Sequence, residues 1–153
     1  MTSACAITAY SGGAFPGEYN SNTTFVAERV SNLVHADRLK SNGSTFIASR
    51  VHQAKEFLAS TDMWCRPVNL YIGPDGALYV VDYYREIIEH PEWLSDDVIS
   101  SGRLYNGHDM GRIFRVSAVD AEPVKWTREM TLGNATDEEL AQLCAQHESK
   151  SVG

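Results

Sequence analysis

Four polar residues near the end of a predicted strand have the side-chain types that catalysis or metal binding needs. Asp82 ends an apolar run, and Arg85, Glu89 and His90 follow it closely. A strand-end carboxylate and a histidine can ligate a metal or transfer a proton. The alternative is a structural network that holds a long loop in place. We assign no metal to these residues.

His35 and Asp37 form a second pair with chemical potential. They lie two residues apart in a predicted strand, so both side chains can point to the same side of a sheet. On that side they could line a central channel. The alternative is a structural histidine whose ring is held by hydrogen bonds.

The three cysteines offer little chemistry as a group. Cys5, Cys65 and Cys144 are far apart, and no Cys-x-x-Cys pair occurs. A zinc site built on such pairs is therefore not expected. Cys144 and His147 match part of a haem attachment motif, but the second cysteine of that motif is missing. The sequence therefore predicts no covalently bound haem.

Composition and charge narrow the classes of partner. The chain has 153 residues, is 43% hydrophobic and carries a formal charge of −7, as expected for one ordinary globular domain. An acidic surface disfavours nucleic acid and anionic lipid. No apolar run approaches the roughly 20 residues that span a bilayer. Residues 1–6 have no basic or long apolar region, so we expect no secretory signal in this chain.

Short apolar runs predict two groups of strands joined by turns. A meander of neighbouring antiparallel strands fits each group. Gly73–Gly76 is a tight turn in which proline fixes one φ angle and glycine tolerates a positive one. The predicted strands are 6–10, 24–28, 32–37 and 45–48, then 67–72, 77–82 and 111–116.

Helical segments are predicted outside these strands. Residues 53–59 could form a helical turn, and a short helix is expected near 85–89 within a long insertion. Near the end of the chain, Thr136 and Glu139 have the spacing of a capping box, which predicts a short amphipathic helix.

An internal repeat connects the two groups of strands. Phe25–Glu28 and Tyr79–Asp82 match at an offset of 54 (79 − 25), each with an acid after an aromatic–valine strand. Repeats of several strands are typical of β-propeller blades. The alternative is two unrelated hairpins with a common apolar pattern. As repeat equivalents, Glu28 and Asp82 are expected to accept backbone N–H bonds at blade ends.

Two blades alone would leave open faces and unpaired edges. A closed propeller needs at least four blades. We therefore expect that the chain is a fragment of a longer polypeptide, and that it self-associates when isolated.

Specific motifs carry a family resemblance over residues 3–117. The blade motif 73–82 followed by 111–115 resembles that of the glucose/sorbosone dehydrogenases. Further stretches are similar to the membrane-bound dehydrogenase family of planctomycetes and verrucomicrobia, namely 25–28, 31–35, 56–60, 66–69 and 88–91. These relatives are in turn similar to the soluble quinoprotein sugar dehydrogenases.

The resemblance implies a mainly β fold of antiparallel four-stranded blades from a six-bladed propeller. Residues 1–120 would be its last two blades, about 3–51 and 66–117, with an insertion at 83–109. Residues 121–153 would be a linker and the start of a helical region. The parent protein would be periplasmic or exported.

The resemblance also implies an activity for the parent. It would oxidise a sugar or related alcohol and pass electrons to a quinone or a c-type haem, with pyrroloquinoline quinone, calcium and a cytochrome c domain outside this chain. The fragment alone would be inactive and would pair with the remaining blades. The alternative is a non-enzymatic propeller used for binding or as a scaffold.

Arg66 is the one cofactor-binding residue that the resemblance transfers to this chain. It precedes the strand that leads into the Pro-Asp-Gly turn, and its planar guanidinium suits the carboxylates of a quinone. Relatives often have a second arginine two residues on, whereas this chain has Val68. A salt bridge with a neighbouring carboxylate is the alternative role.

Overall fold

The chain is mainly β, as predicted. The computed structural model describes residues 3–19, 22–121 and 134–142. Eight strands lie in this part of the chain: β1 (Ala4–Ala9), β2 (Thr23–Glu28), β3 (Leu33–Asn42), β4 (Thr45–Arg50), β5 (Leu58–Ala59), β6 (Pro67–Ile72), β7 (Leu78–Asp82) and β8 (Arg112–Val116).

The strands form two antiparallel sheets. The first sheet has the order β1-β2-β3-β4, and the short β5 pairs with the beginning of β3. The second sheet has the order β6-β7-β8. Each first strand contains a bulge, between Cys5 and Thr8 in β1 and between Pro67 and Asn69 in β6.

The two sheets pack on each other around one apolar core. Alternate residues of β2 and β3 supply one side of the core, and alternate residues of β6 and β7 supply the other. This alternation follows from the period of two in a strand. The residues of this apolar core that come from the strands are Phe25, Ala27, Val34, Ala36, Leu70, Leu78 and Val80.

A loop after β1 closes one end of the core. The phenol of Tyr10 donates to the carbonyl of Gly76 at 2.7 Å and accepts the N–H of Ala14 at 2.7 Å. Gly76 has a φ of +76°, and a Cβ on it would lie 2.0 Å from the carbonyl oxygen of Gly12. The loop and the β6–β7 turn can approach this closely because both positions are glycine.

The segment after β4 differs from its prediction. The helical turn expected over 53–59 is absent, since the chain bends through this stretch and ends it in β5. The free edge of β3 explains the difference, because Leu58 and Ala59 pair with Val34 and Leu33 there. Pairing with an open strand edge satisfies backbone groups that a single helical turn would leave exposed.

The insertion after β7 also differs from its prediction. No helix forms near 85–89; instead a 3₁₀ turn (Pro91–Trp93), the helix α1 (Asp96–Ser100) and a second 3₁₀ turn (Arg103–Tyr105) follow further along. None of the helices in the described ranges is long and apolar enough to cross a bilayer.

The predicted capping box near the end of the chain is confirmed. Thr136 N donates to a Glu139 carboxylate oxygen at 2.8 Å, and Glu139 N donates to the Thr136 hydroxyl at 3.3 Å. A helix follows over residues 137–142. Cys144 and His147 lie outside the described residues.

Candidate functional site

A buried carboxylate closes one end of the first sheet. Glu28 is fully buried at the end of β2. Its oxygens accept the backbone N–H groups of Ser3 at 3.0 Å, Ser31 at 2.7 Å and Val30 at 3.4 Å. Burial alone would raise the pKa of Glu28, but the hydrogen bonds from these residues outweigh burial and hold the pKa below its usual value.

A second buried carboxylate closes the same end of the second sheet. Asp82 is 1% exposed at the end of β7. One oxygen accepts the N–H of Arg66 at 2.7 Å and the N–H of Tyr84 at 3.0 Å. The other oxygen binds the guanidinium of Arg112 at 2.8 Å. The hydrogen bond to Asp82 raises the pKa of Arg112.

The two carboxylates occupy equivalent positions. Glu28 pairs with the first residues of β1 and β3, and Asp82 pairs with the first residues of β6 and β8. Each accepts the N–H of the residue just before the first strand, Ser3 or Arg66. The prediction that both acids accept backbone N–H bonds at strand ends is therefore confirmed.

The guanidinium of Arg66 binds the backbone. Its Nε donates to the carbonyl of Arg85 at 3.1 Å, its Nη1 to that of Arg29 at 3.1 Å and its Nη2 to that of Glu86 at 2.8 Å. Arg66 thus joins the end of the first sheet to the loop after β7. No carboxylate in the described ranges forms a salt bridge with it.

Binding of a quinone by Arg66 stays a prediction. Each guanidinium nitrogen donates once to a carbonyl, and of the five N–H groups of the guanidinium these described contacts use three. Because Arg66 spans the two sheets, its described contacts stabilise the junction between them.

The predicted cluster after β7 does not form a single site. Arg85 binds the carbonyls of Gly107 at 2.6 Å and His108 at 3.3 Å, and its guanidinium stacks over the Tyr83 ring. Glu89 and His90 are exposed, and a Glu89 carboxylate oxygen accepts only the N–H of His90 among the described contacts. Arg85 therefore fastens the far end of the insertion, as the structural alternative supposed.

A second set of contacts that holds the insertion in place was not predicted from the sequence. The Glu86 carboxylate binds the guanidinium of Arg103 and accepts the Asn106 amide at 2.7 Å. The hydrogen bonds from Arg103 and Asn106 lower the pKa of Glu86. No local pattern indicates these partners, because the residues lie far apart in an irregular segment.

His35 lies in a buried network with two carboxylates. The residue is 5% exposed. Its Nε2 is 3.0 Å from an Asp37 oxygen, as the same-side placement predicted, and its Nδ1 is 2.6 Å from an oxygen of Glu56. Glu56 also binds Arg50.

The charge on Glu56 reflects these contacts. Burial would raise the pKa of Glu56, but the hydrogen bonds from His35 and Arg50 outweigh it and lower the pKa. Glu56 was not predicted as a partner of His35, because the two residues are 21 positions apart in the sequence. With both nitrogens occupied and little exposure, the ring is placed for a structural role and has no free nitrogen for a substrate.

Metal binding finds no support in the described residues. Within the ranges 3–19, 22–121 and 134–142, no three His, Cys, Asp or Glu side chains are arranged to hold a metal ion. Calcium or a transition metal would need several such ligands.

An apolar groove of about 330 Å³ lies on the outer side of the second sheet. Tyr71 and Tyr79 face each other across β6 and β7, and Val81 and Ile113 face each other across β7 and β8. All four line the groove together with the turn residues Gly73 and Pro74. Its walls are apolar or aromatic, so its chemistry suits packing against another surface.

Comparison with known proteins leaves one match. No curated protein and no solved structure matches the chain. A family described as a domain of unknown function, DUF7133, matches residues 1–120. That match covers both sheets and the insertion after β7. The chain therefore belongs to the DUF7133 family.

Proposed function

We propose that the two sheets are consecutive blades of a β-propeller, and that this chain completes the propeller of a larger dehydrogenase-like protein. The blades are residues 3–51 and 66–117. The parent oxidises a sugar or related alcohol outside the cytoplasm and passes electrons to a quinone or a c-type haem. Its catalytic groups and its quinone and calcium sites lie in the remaining blades.

The equivalence of Glu28 and Asp82 carries the blade proposal. Both acids end a central strand, are buried and accept the N–H that precedes the first strand. Two unrelated hairpins would have no reason to share this contact. Sheets that repeat one hydrogen-bonding scheme and pack face to face are typical of propellers.

The described contacts of the candidate residues support an architectural role for this part. Arg66 and Arg85 bind carbonyls, and Asp82 binds backbone N–H groups. These bonds join the two sheets and close the insertion. The substrate assignment therefore depends on the family resemblance and not on groups in this chain.

A non-enzymatic binding scaffold is the second candidate. The observation that favours it is that each guanidinium nitrogen of Arg66 donates to a backbone carbonyl, which holds this side chain between the two sheets. If Arg66 serves only to join the two sheets, the chain contributes no cofactor-binding arginine, as expected of a scaffold. Propellers host many functions, so fold alone does not choose between the candidates.

The deciding experiment uses the polypeptide that contains this chain together with its other blades. It is loaded with pyrroloquinoline quinone and calcium and tested for dye reduction with a panel of sugars and alcohols. The matched control omits the quinone. Quinone-dependent reduction supports the dehydrogenase, and its absence across the panel in folded protein supports the scaffold. An electron microscopy map without radial blades would refute the propeller.

A further inference from the structure

The outer side of the second sheet exposes apolar side chains that a lone soluble domain would bury. Tyr71 is 58% exposed and Ile113 is 67% exposed, and both line the groove. The groove is continuous across all three strands of this sheet. Contiguous apolar surface of this kind marks a protein interaction site.

The groove corresponds residue by residue to the buried side of the first sheet. Counting from the paired acids Glu28 and Asp82, the residues that match are Phe25 with Tyr79, Ala27 with Val81, Val34 with Ile113 and Thr8 with Tyr71. The first member of each pair lies on the side of the first sheet that faces the second sheet.

Leu70 shows what such a surface receives. It lies in β6, is 3% exposed and packs in the core against the first sheet. Its carbonyl accepts the hydroxyl of Thr8 at 3.1 Å. The buried side of the first sheet therefore already binds an aliphatic side chain from the first strand of a neighbouring sheet.

Ile7 is the counterpart of Leu70 in the first sheet. It precedes Thr8 in β1 as Leu70 precedes Tyr71 in β6. Ile7 is 72% exposed. Because Thr8 faces the second sheet and neighbouring residues of a strand alternate, Ile7 lies on the other side of the first sheet. Inside the molecule, Leu70 packs on the buried side of the first sheet. The outer surfaces repeat both parts of this contact: Ile7 corresponds to Leu70, and the groove corresponds to the side that Leu70 packs on.

We infer that in the isolated chain, where no further blade covers these surfaces, the groove of one molecule binds the Ile7 surface of a second copy, head to tail. The inference rests on the proposed blade equivalence and names the partner of its open faces. Such a contact is heterologous: it leaves one free groove and one free Ile7 surface on every pair, so further copies can add until a ring closes.

Charge predicts how this association responds to salt. Each copy carries a formal charge of −7, so copies repel one another at low ionic strength. The proposed contact is apolar and contains no ion pair that salt would weaken. Added sodium chloride should therefore strengthen the association, because it screens the repulsion.

The test is sedimentation velocity of the full 153-residue chain over a range of concentrations. We expect reversible association that Ile7→Asp or Ile113→Asp weakens by at least about tenfold, since either change buries a charge at the contact. Ile47→Asp is the matched control, because Ile47 is 55% exposed on β4 and pairs with Lys40, on the opposite side of the first sheet from Ile7. Circular dichroism checks that each variant is folded.

A mixture of the two variants separates this contact from any other. Ile7→Asp keeps an intact groove and Ile113→Asp keeps an intact Ile7 surface. Mixed, they should form a one-to-one pair that cannot add a third copy. A symmetric contact, in which each surface binds its own kind, would give no such pair.

Three results would overturn the inference: a monomeric wild type at high concentration, a mixture that stays monomeric, or association that only Ile47→Asp removes. The last would show pairing through an open strand edge instead. A monomeric chain whose longer polypeptide still forms radial blades would refute this contact and leave the propeller proposal intact.

Discussion

The Nδ1 atom of His35 lies 2.6 Å from an oxygen of Glu56, which fastens the 51–57 loop to the buried side chain of a central strand. The loop has a second attachment, a 2.6 Å contact between the Tyr19 hydroxyl and Nε2 of His52. Phe57 follows Glu56 and packs on the Phe25 ring at 4.5 Å. His35 thus holds the loop in the position in which Phe57, the aromatic residue of the loop, covers the core.

Replacing His35 should loosen this loop. His35→Phe keeps a ring of similar size but removes the hydrogen-bond partner that the Glu56 and Asp37 carboxylates share, at a cost of about 1–3 kcal/mol. We expect faster amide hydrogen exchange in peptides that span 51–57. His108→Phe is the control, since His108 is an exposed histidine on the insertion. Unchanged exchange in 51–57 would contradict the assigned role.

Acid should weaken the same contact. Because the folded pKa of Glu56 is held below its unfolded value near 4.5, the folded state binds fewer protons there than the unfolded state. The stabilisation is therefore complete above that value and is lost as the pH falls through the folded pKa. Glu28, whose pKa is also lowered, adds to this effect.

Urea unfolding between pH 6 and pH 3 measures this dependence. Glu56→Gln should be less stable than the wild type at pH 6 and should lose less stability on acidification. Glu18→Gln, at an exposed position, should follow the wild-type curve. Parallel curves for the wild type and Glu56→Gln would show that the Glu56 carboxylate does not contribute.

The two aspartates of the second sheet should differ sharply in their effect on stability. Asp82→Ala leaves the N–H groups of Arg66 and Tyr84 buried without their acceptor, which should cost about 2–4 kcal/mol. Asp75 binds Arg115 in a partly exposed pair, and it accepts the Ala77 N–H at 3.2 Å and the Tyr79 hydroxyl at 3.3 Å. The latter two bonds are longer than those that Asp82 accepts from backbone N–H groups, so Asp75→Ala should cost less, about 1 kcal/mol. Denaturant midpoints of both variants measure the difference, and equal losses would refute the architectural role of Asp82.

Local sequence signals predicted the strands well where both ends were marked. β6 matches its predicted bounds, because Pro67 opens it and the Gly73–Gly76 turn closes it. β2 begins one residue before its predicted start and ends as predicted, at Glu28. Alternation and turn chemistry are properties of neighbouring residues, so a sequence displays them directly.

Contacts across long separations could not be predicted in this way. Asp82 meets Arg112 across a 30-residue separation, and His35 meets Glu56 only because the chain returns to pair β5 with β3. The same return explains why a helical turn at 53–59 was predicted wrongly. These contacts depend on pairing between distant parts of the chain, and the propensities of neighbouring residues do not indicate such pairing.

Gly76 and Gly43 provide a matched pair for testing the loop closure beside Tyr10. Both have positive φ, +76° and +63°, so alanine strains the backbone at either position. A Cβ at Gly43 meets nothing within 4 Å, whereas a Cβ at Gly76 lies 2.0 Å from the Gly12 carbonyl oxygen. That overlap involves two backbones and cannot be relieved by a side-chain rotation.

Gly43→Ala should therefore cost about 1 kcal/mol, from backbone strain alone. Gly76→Ala should cost at least about 3 kcal/mol, because relieving the overlap must also break the Tyr10 hydroxyl bond to the Gly76 carbonyl. Urea midpoints give both values, and near-ultraviolet circular dichroism reports the tyrosine environment. If the two variants lose equal stability, the close approach of the loop to the turn does not contribute to folding.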